Sequence, residues 1–311
     1  MICANLPLVP SLWTRAFPFT RNFCGQDMYK QNIAPLVPTR PGGHTCAVRL
    51  GKIMLYSMAV DELLSSNRHE LKHVATVHSE MFVYAHENAA FEALLRRTIN
   101  TIDGRIVQGL CSLLYPGRNI RKITGADLIY DLANYAVIHG ERVFLLGAEA
   151  ASNQDAVEAL KARYPGLVID GYSPPFCSDI QEEKWNQGIR SRIASFRPTH
   201  LVVCFGPLKQ EMWIAQNAEA LFKLGVRCAY GLGGTLDFVS GRKTRAPKWI
   251  QRVGAEWLFR VITEPQRLGR TAKMFKMPYF VLKFYHREVR IPEEHGGVDA
   301  SLASPTRVNA E

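Results

Sequence analysis

The chain has no Cys-x-x-Cys pair. Its seven cysteines (Cys3, Cys24, Cys46, Cys111, Cys177, Cys204 and Cys228) are scattered, which excludes a disulfide framework and a zinc-finger-type site and suggests a reducing compartment. His73, His78 and His86 fall at intervals unsuited to a metal and read as surface or supporting residues. No DxD-type acidic pair stands at a strand end, so no essential metal is expected. No G-x-S-x-G elbow and no P-loop occur, and no internal repeat is visible. The first residues, MICANLPLVPSLWTRAFPFTR, lack a charged segment followed by an unbroken apolar core, so they are not read as a signal peptide. No window approaches the roughly 18 apolar residues of a membrane span. A soluble or peripheral protein is expected.

What is present is a globular composition: 311 residues, 47% hydrophobic and 21% charged, enough for one large domain or two ordinary ones. The net charge of +10 is concentrated at one end. From Gly241 to Arg290 thirteen basic residues face only Glu256, Glu264 and Glu288, an excess equal to that of the whole chain. Such confinement points to an anionic partner there: nucleic acid, anionic lipid or diphosphate. Trp249, Trp257, Phe259, Met274, Phe275, Met277, Tyr279 and Phe280 are interleaved with the charges and argue against a merely solvated tail.

Residues 1–45 are rich in Pro, Gly and Asn and read as a flexible extension. Val48–Leu55 reads as a strand or hairpin, and Ala59–Ser66 as a short helix. A regular alternation follows. Strands are expected at His73–Val77, Ile99–Ile102, Arg142–Leu146, Leu167–Asp170, His200–Phe205 and Arg227–Tyr230. Helices are expected from Ser79, as the cap, through SEMFVYAHENAAFEALLRR, then over Gly125–Ile138, Asn153–Arg163, Asp179–Ser195 and Lys209–Phe222. Continuous apolar strands alternating with helices predict an α/β, Rossmann-like, mostly parallel sheet with helices on both faces. This catalytic unit is placed at 46–240. A helical, basic, membrane-associating appendage over 241–290 and a flexible tail over 291–311 complete the organisation.

Ligands in such folds bind at the carboxyl ends of the strands, which selects Thr76 and His78, Asp103, Gly147, Gly206–Glu211 and Gly231–Asp237. Asp103 is either a helix cap or a carboxylate suited to accept a proton from a sugar hydroxyl. Gly206-Pro207-Leu208-Lys209-Gln210-Glu211 joins a strand to a helix N-terminus, where N–H groups and the helix dipole favour an anion. Lys209 and Gln210 add donors, and Glu211 is either part of that set or a plain first-turn acid. Gly231-Leu232-Gly233-Gly234 lacks the dinucleotide fingerprint and reads as a tight turn or a close approach of backbone to ligand. Arg260, Arg267 and Arg270, spaced seven and three apart, would share a helix face, but Pro265 demands a kink or a second helix. They are either a diphosphate clamp or a solvated stripe.

Together these pieces resemble the WecG/TagA/CpsF glycosyltransferases (glycosyltransferase family 26). The resemblance runs from about Val48 to Arg270. It is carried by Thr76-Val77-His78, Thr101-Ile102-Asp103-Gly104, Lys122-Ile123-Thr124-Gly125-Ala126-Asp127-Leu128, Phe144-Leu145-Leu146-Gly147 and Gly206-Pro207-Leu208-Lys209-Gln210-Glu211. It continues through Gly233-Gly234-Thr235-Leu236-Asp237 with Gly241, Arg245-Ala246-Pro247, and Glu256-Trp257-Leu258-Phe259-Arg260 with Glu264-Pro265 and Arg267. It implies an inverting, metal-independent transfer from a UDP-sugar to a polyprenyl-diphosphate-linked acceptor at the cytoplasmic face of the membrane, in cell-surface or exopolysaccharide synthesis. It implies no cofactor.

In the family an Asp at the position of Asp103 is the proposed general base. The positions of Thr76 and Gln210 line the sugar pocket, and those of Arg260, Arg267 and Arg270 engage phosphate as the appendage docks on an anionic membrane. With Lys122, Gly147, Gly206, Glu211, Gly233, Gly234 and Asp237 these form the expected substrate site. Two departures stand out: His78 replaces the Asn of the usual T-x-N where the donor sugar is sensed, and Lys122 replaces an Arg before the T-G pair. The family also contains uronic-acid transferases, so an N-acetylmannosamine-type donor and a uronic acid both remain open. A homo-oligomer is an admissible assembly, and nucleic acid is not an expected partner. The competing reading, a non-catalytic nucleotide- or nucleic-acid-binding module with a basic tail, gives no reason for the Asp103 and Gln210 constellation. An NAD-dependent oxidoreductase is disfavoured by the missing fingerprint.

Overall fold

The computed structural model describes residues 46–66 and 69–285, with the side chains of Arg267, Arg270 and Tyr285 excepted. The expected extension over 1–45 and tail over 291–311 lie outside the described residues.

The chain opens with a hairpin, β1 (Cys46–Leu50) and β2 (Ile53–Ser57), followed by α1 (Val60–Leu64), β3 (Lys72–Val77), α2 (Ser79–Glu87), α3 (Ala89–Leu95) and β4 (Ile99–Ile102). Then come α4 (Arg105–Leu114), α5 (Gly125–His139), β5 (Arg142–Gly147), α6 (Ala150–Arg163), β6 (Val168–Tyr172), α7 (Glu183–Phe196), β7 (His200–Cys204), α8 (Lys209–Lys223) and β8 (Cys228–Gly231). After the last strand run α9 (Thr235–Val239), α10 (Lys248–Arg252), α11 (Glu256–Thr263), a 3-10 turn at Pro265–Arg267, α12 (Leu268–Thr271), a second 3-10 segment at Ala272–Lys276 and α13 (Met277–Tyr285).

The strands form one sheet in the order β1-β2-β4-β3-β8-β7-β5-β6. Only β1 is antiparallel to its neighbour. The seven strands from β2 to β8 therefore end at one edge. Alternate residues feed opposite faces, as the period of two requires. Val74, Val143, Leu145, Val202 and Tyr230 pack under α1, α5, α6 and α9. Ala75, Val77 and Ile102 pack under α2, α3 and α4, while Phe144, Leu146, Leu201, Val203 and Ala229 pack under α7 and α8. Both faces are covered, as the apolar strand runs predict.

Several elements differ from expectation. The stretch from Ser79 is two helices, because the Asn88 side chain accepts from Phe91 N–H at 3.0 Å and starts α3 afresh. The cap of α2 is His78, without a side-chain capping bond, rather than Ser79. Helices α4 and α9 were not anticipated. His73 and His86 are buried rather than superficial. His86 is held by an Nδ1 hydrogen bond with Phe82 O (2.8 Å) and an Nε2 bond from Lys52 N–H (3.0 Å). The five cysteines among the described residues are free thiols.

The segment after Gly241 is all helical, but it is not merely appended. Met277, Phe280 and Val281 are buried in the same cluster as β1, β2, α2 and α3. The His86 ring lies 5.2 Å from Phe280 and 5.4 Å from Phe284, and Lys276 pairs with Glu87 at 2.6 Å.

Candidate functional site

The carboxyl edge gathers two groups of residues. The first is built around Asp103. Val77 of β3 pairs with Ile102 of β4, and Asp103 N–H donates to Val77 O at 3.1 Å. His78 and Asp103 thus leave adjacent strands side by side. Gly104 turns the chain at once into α4. Asp103 is only partly exposed, and burial pushes its carboxyl up; His78, Arg260 and Lys122 oppose that push, and Glu256 adds to it. Arg260 and Glu256 belong to α11, so charges of the basic helices act on the strand-end carboxylate. Arg260 also donates to Glu256 at 3.3 Å and lies 4.8 Å over the Phe238 ring. The side chains of Arg267 and Arg270 lie outside the described residues; their backbones continue the path from α11 into α12.

This cluster is held by ion pairs that bridge distant parts of the chain. Arg245 grips Asp127 of α5 with two bonds, 2.5 and 3.1 Å, and its Nε lies 3.8 Å from Glu256. Burial alone would raise the Asp127 carboxyl, but Arg245 and Thr124 outweigh it and hold it below the ordinary range. Lys243 pairs with Asp237 at 2.7 Å and Glu264 at 3.1 Å. Asp237 thus contacts the loop leading to the helices. Arg245, Asp127 and Glu256 lie in the segments that carry the family resemblance but are not among the expected site residues. The signal lay in opposite charges in separate motif segments, which spacing alone cannot pair.

The second group is a hydrogen-bonded knot between β3, β8 and the start of α8. Thr76 Oγ1 donates to Gly231 O at 3.1 Å. Gln210 and Glu211 are both buried. Gly233 N–H donates to Gln210 Oε1 at 3.0 Å, Gln210 Nε2 donates to Glu211 Oε1 at 2.7 Å, and Leu208 N–H donates to Glu211 Oε2 at 2.8 Å. A Cβ on Gly231 would lie 2.4 Å from Glu211 Oε1 and 2.9 Å from Gln210 Nε2; a side chain there would displace both. Gly233 takes φ +56, a turn conformation that favours glycine, and Gly234 caps α9. Gly147 ends β5 opposite Cys204, and Gly206 follows β7 in the turn into α8. Lys209 donates to Cys177 O at 2.6 Å and so ties down the loop after β6.

The arrangement offers a partly buried carboxylate under the influence of His78, Arg260 and Lys122, at the same sheet edge as a helix N-terminus and a glycine turn. It can take a proton from a hydroxyl at Asp103 and place positive charge against a departing anion. Among the described residues no group of three or more His, Cys, Asp or Glu side chains is placed to hold a metal ion. A cavity of about 490 Å³ between α1 and the second half of α5, lined in part by Asp61 and Asp131, shares none of these residues, and its carboxylates would repel a nucleotide.

A profile of the glycosyl transferase WecG/TagA/CpsF family matches residues 48–293. The chain is similar to the N-acetylglucosaminyldiphosphoundecaprenol N-acetyl-beta-D-mannosaminyltransferase of Bacillus spizizenii, with 31% identity over 210 residues, covering 68% of this chain and 78% of the relative. The proteins of the same name from Bacillus subtilis and Staphylococcus aureus are 31% identical over 211 residues and 29% over 215, with the same coverage.

Proposed function

The chain belongs to the glycosyl transferase WecG/TagA/CpsF family, and from that membership we propose that it moves a sugar from a UDP-sugar to a polyprenyl-diphosphate-linked saccharide during synthesis of a cell-envelope or exported polysaccharide. The observation that carries the proposal is the Asp103 carboxylate, fixed at the sheet's carboxyl edge next to the end of β3 and acted on by the charges of His78, Arg260 and Lys122.

In the proposed reaction Asp103 removes the proton from the acceptor hydroxyl. The hydroxyl oxygen attacks the anomeric carbon as its bond to the UDP oxygen breaks, inverting that centre. The proton stays on Asp103 and UDP leaves with the bonding electrons. Lys122 and Arg260, with Arg267 and Arg270, stabilise the developing diphosphate charge by electrostatics, without a metal. Thr76, Gln210, Glu211, Gly147, Gly206, Gly233, Gly234 and Asp237 shape the donor pocket, and His78 faces the donor sugar.

The acceptor's lipid requires a membrane, and the basic helices suit an anionic one on its cytoplasmic side. No helix among the described residues is long and apolar enough to cross. Instead Trp249, Val253, Leu258, Ile262, Phe275 and Tyr279 are exposed apolar residues, with Leu258 and Ile262 four apart on one face of α11. Alongside them run Lys248, Arg252 and Lys273. An apolar face flanked by basic side chains is suited to lie in a lipid headgroup layer.

The test is incubation with a panel of UDP-sugars and a short polyprenyl-diphosphate-sugar acceptor, with and without EDTA. Release of UDP that depends on the acceptor and survives EDTA supports the reading. No release with any donor overturns the activity, and loss in EDTA overturns metal independence.

A further inference from the structure

Glu211 has 0% of its surface exposed, and no ion pair joins it among the described residues. A buried carboxylate without a cation is unfavourable, and burial pushes its carboxyl up to about 7. Its oxygens instead accept from Gln210 Nε2 and Leu208 N–H, with its own backbone N–H as a further donor. Leu208 takes φ +70, a left-handed turn that this bond helps to hold.

The bonds can run in only one direction. Backbone N–H groups only donate, so Gly233 N–H requires the carbonyl oxygen of Gln210, and the Gln210 amide nitrogen then faces Glu211. Glu211 must accept on both oxygens, which an ionised carboxylate does. Protonation takes one lone pair of an oxygen that already accepts, and so weakens either the Leu208 or the Gln210 bond. Turning the Gln210 amide over to recover that bond places its nitrogen against Gly233 N–H. The ionised form therefore holds the Gly231–Gly234 turn through Gln210 more firmly than the protonated form. The Gln210 nitrogen makes one hydrogen bond among the described residues.

We propose that Glu211 is a positioning residue for the donor nucleotide: ionised, it locks the Gln210 amide and the glycine turn in the arrangement that binds UDP, and on taking up a proton it loosens both. The inference rests on the nucleotide-sugar reading above. The titratable and charged groups on the elements packed against α8 are Lys72 and His73 on β3, Glu92 on α3, Glu183, Lys184, Arg190 and Arg192 on α7, His200 and Cys204 on β7, and Cys228 and Tyr230 on β8. None of them causes the shift of Glu211, which comes from burial and is opposed only by hydrogen bonds from Gln210 and the backbone. Lys209, beside it on α8, is engaged with Cys177 O.

The test is UDP binding by calorimetry to the full-length protein and to Glu211→Gln, Gln210→Ala and the double variant, at about pH 6 and about pH 8. The ratio of variant to wild-type Kd at each pH cancels the ionisation of UDP itself. Glu211→Gln mimics the protonated state, so its ratio is near one at the lower pH and about tenfold or more at the higher. In the Gln210→Ala background the same change has no further effect. A ratio independent of pH, or a full effect of Glu211→Gln without Gln210, overturns the positioning role. If Glu211→Gln does not fold, Gln210→Ala decides: its ratio to wild type must grow with pH. Wild-type protein that binds no UDP refutes the nucleotide-sugar reading itself, a separate outcome from wild-type binding with no coupling.

Discussion

Arg245 and Asp127, 118 residues apart in sequence, are joined by two hydrogen bonds of 2.5 and 3.1 Å. The same guanidinium faces Glu256, which in turn holds Arg260. A chain of charges thus runs from the first turn of α5 to α11. Asp127 is about half exposed, at 55%, so the pair contributes at most about 1 kcal/mol to stability. Its larger role is to place α11. Asp127→Asn is expected to change Tm by only a few degrees and to lower kcat/KM about tenfold. Unchanged turnover would remove the pair from the positioning of Arg260.

Asp103→Asn keeps the shape of the side chain and removes the base. Turnover should fall roughly 10² or more while UDP binding is largely kept. Near-normal turnover would exclude Asp103 from the role.

The pH profile gives a second handle on the same carboxylate. A general base works ionised, so activity is lost as pH falls through its pKa. Burial raises that pKa, which places the acidic limb of kcat/KM above the ordinary Asp range. Arg260 lowers it, so Arg260→Gln should move the limb to still higher pH. An unmoved limb in that variant would show that Arg260 does not act on Asp103.

The strands were legible because apolar runs such as HLVVC bounded by Gly and Pro have few other readings. Placing the site at their carboxyl ends followed from topology alone. The Arg245–Asp127 pair was not legible, because nothing local links charges so far apart in sequence. Nor was the inward turn of Glu211, since an acid in a helix's first turn ordinarily faces water. Helix α4 was hidden by Gly109 and by the absence of a side-chain N-cap. The burial of Met277, Phe280 and Val281 was masked by the basic residues around them, whose charges suggested a peripheral appendage.

That burial has a direct consequence. Phe280 is 9% exposed and packs against His86. Phe280→Ala should cost about 3 kcal/mol, lowering Tm by about 5–10 °C. A change within a degree or two would mean that α13 can leave the core at little cost. Truncation after Asp237 would remove this core contact as well as the basic helices, so it cannot isolate membrane binding from folding.

Point changes on the exposed apolar residues separate the two. Ile262 is 70% exposed, and its replacement by Asp should alter stability by less than about 0.5 kcal/mol. On a membrane the same change forfeits about 1.5–3 kcal/mol of apolar burial and adds a charge that anionic lipid repels at about 1 kcal/mol. Co-sedimentation with phosphatidylglycerol-containing liposomes should therefore weaken by at least about tenfold. Turnover on a water-soluble short-chain acceptor should persist, because Ile262 lies on the outer face of α11 while Arg260 faces the site. Undiminished sedimentation of Ile262→Asp, and likewise of Val253→Asp, would show that this face does not meet the membrane.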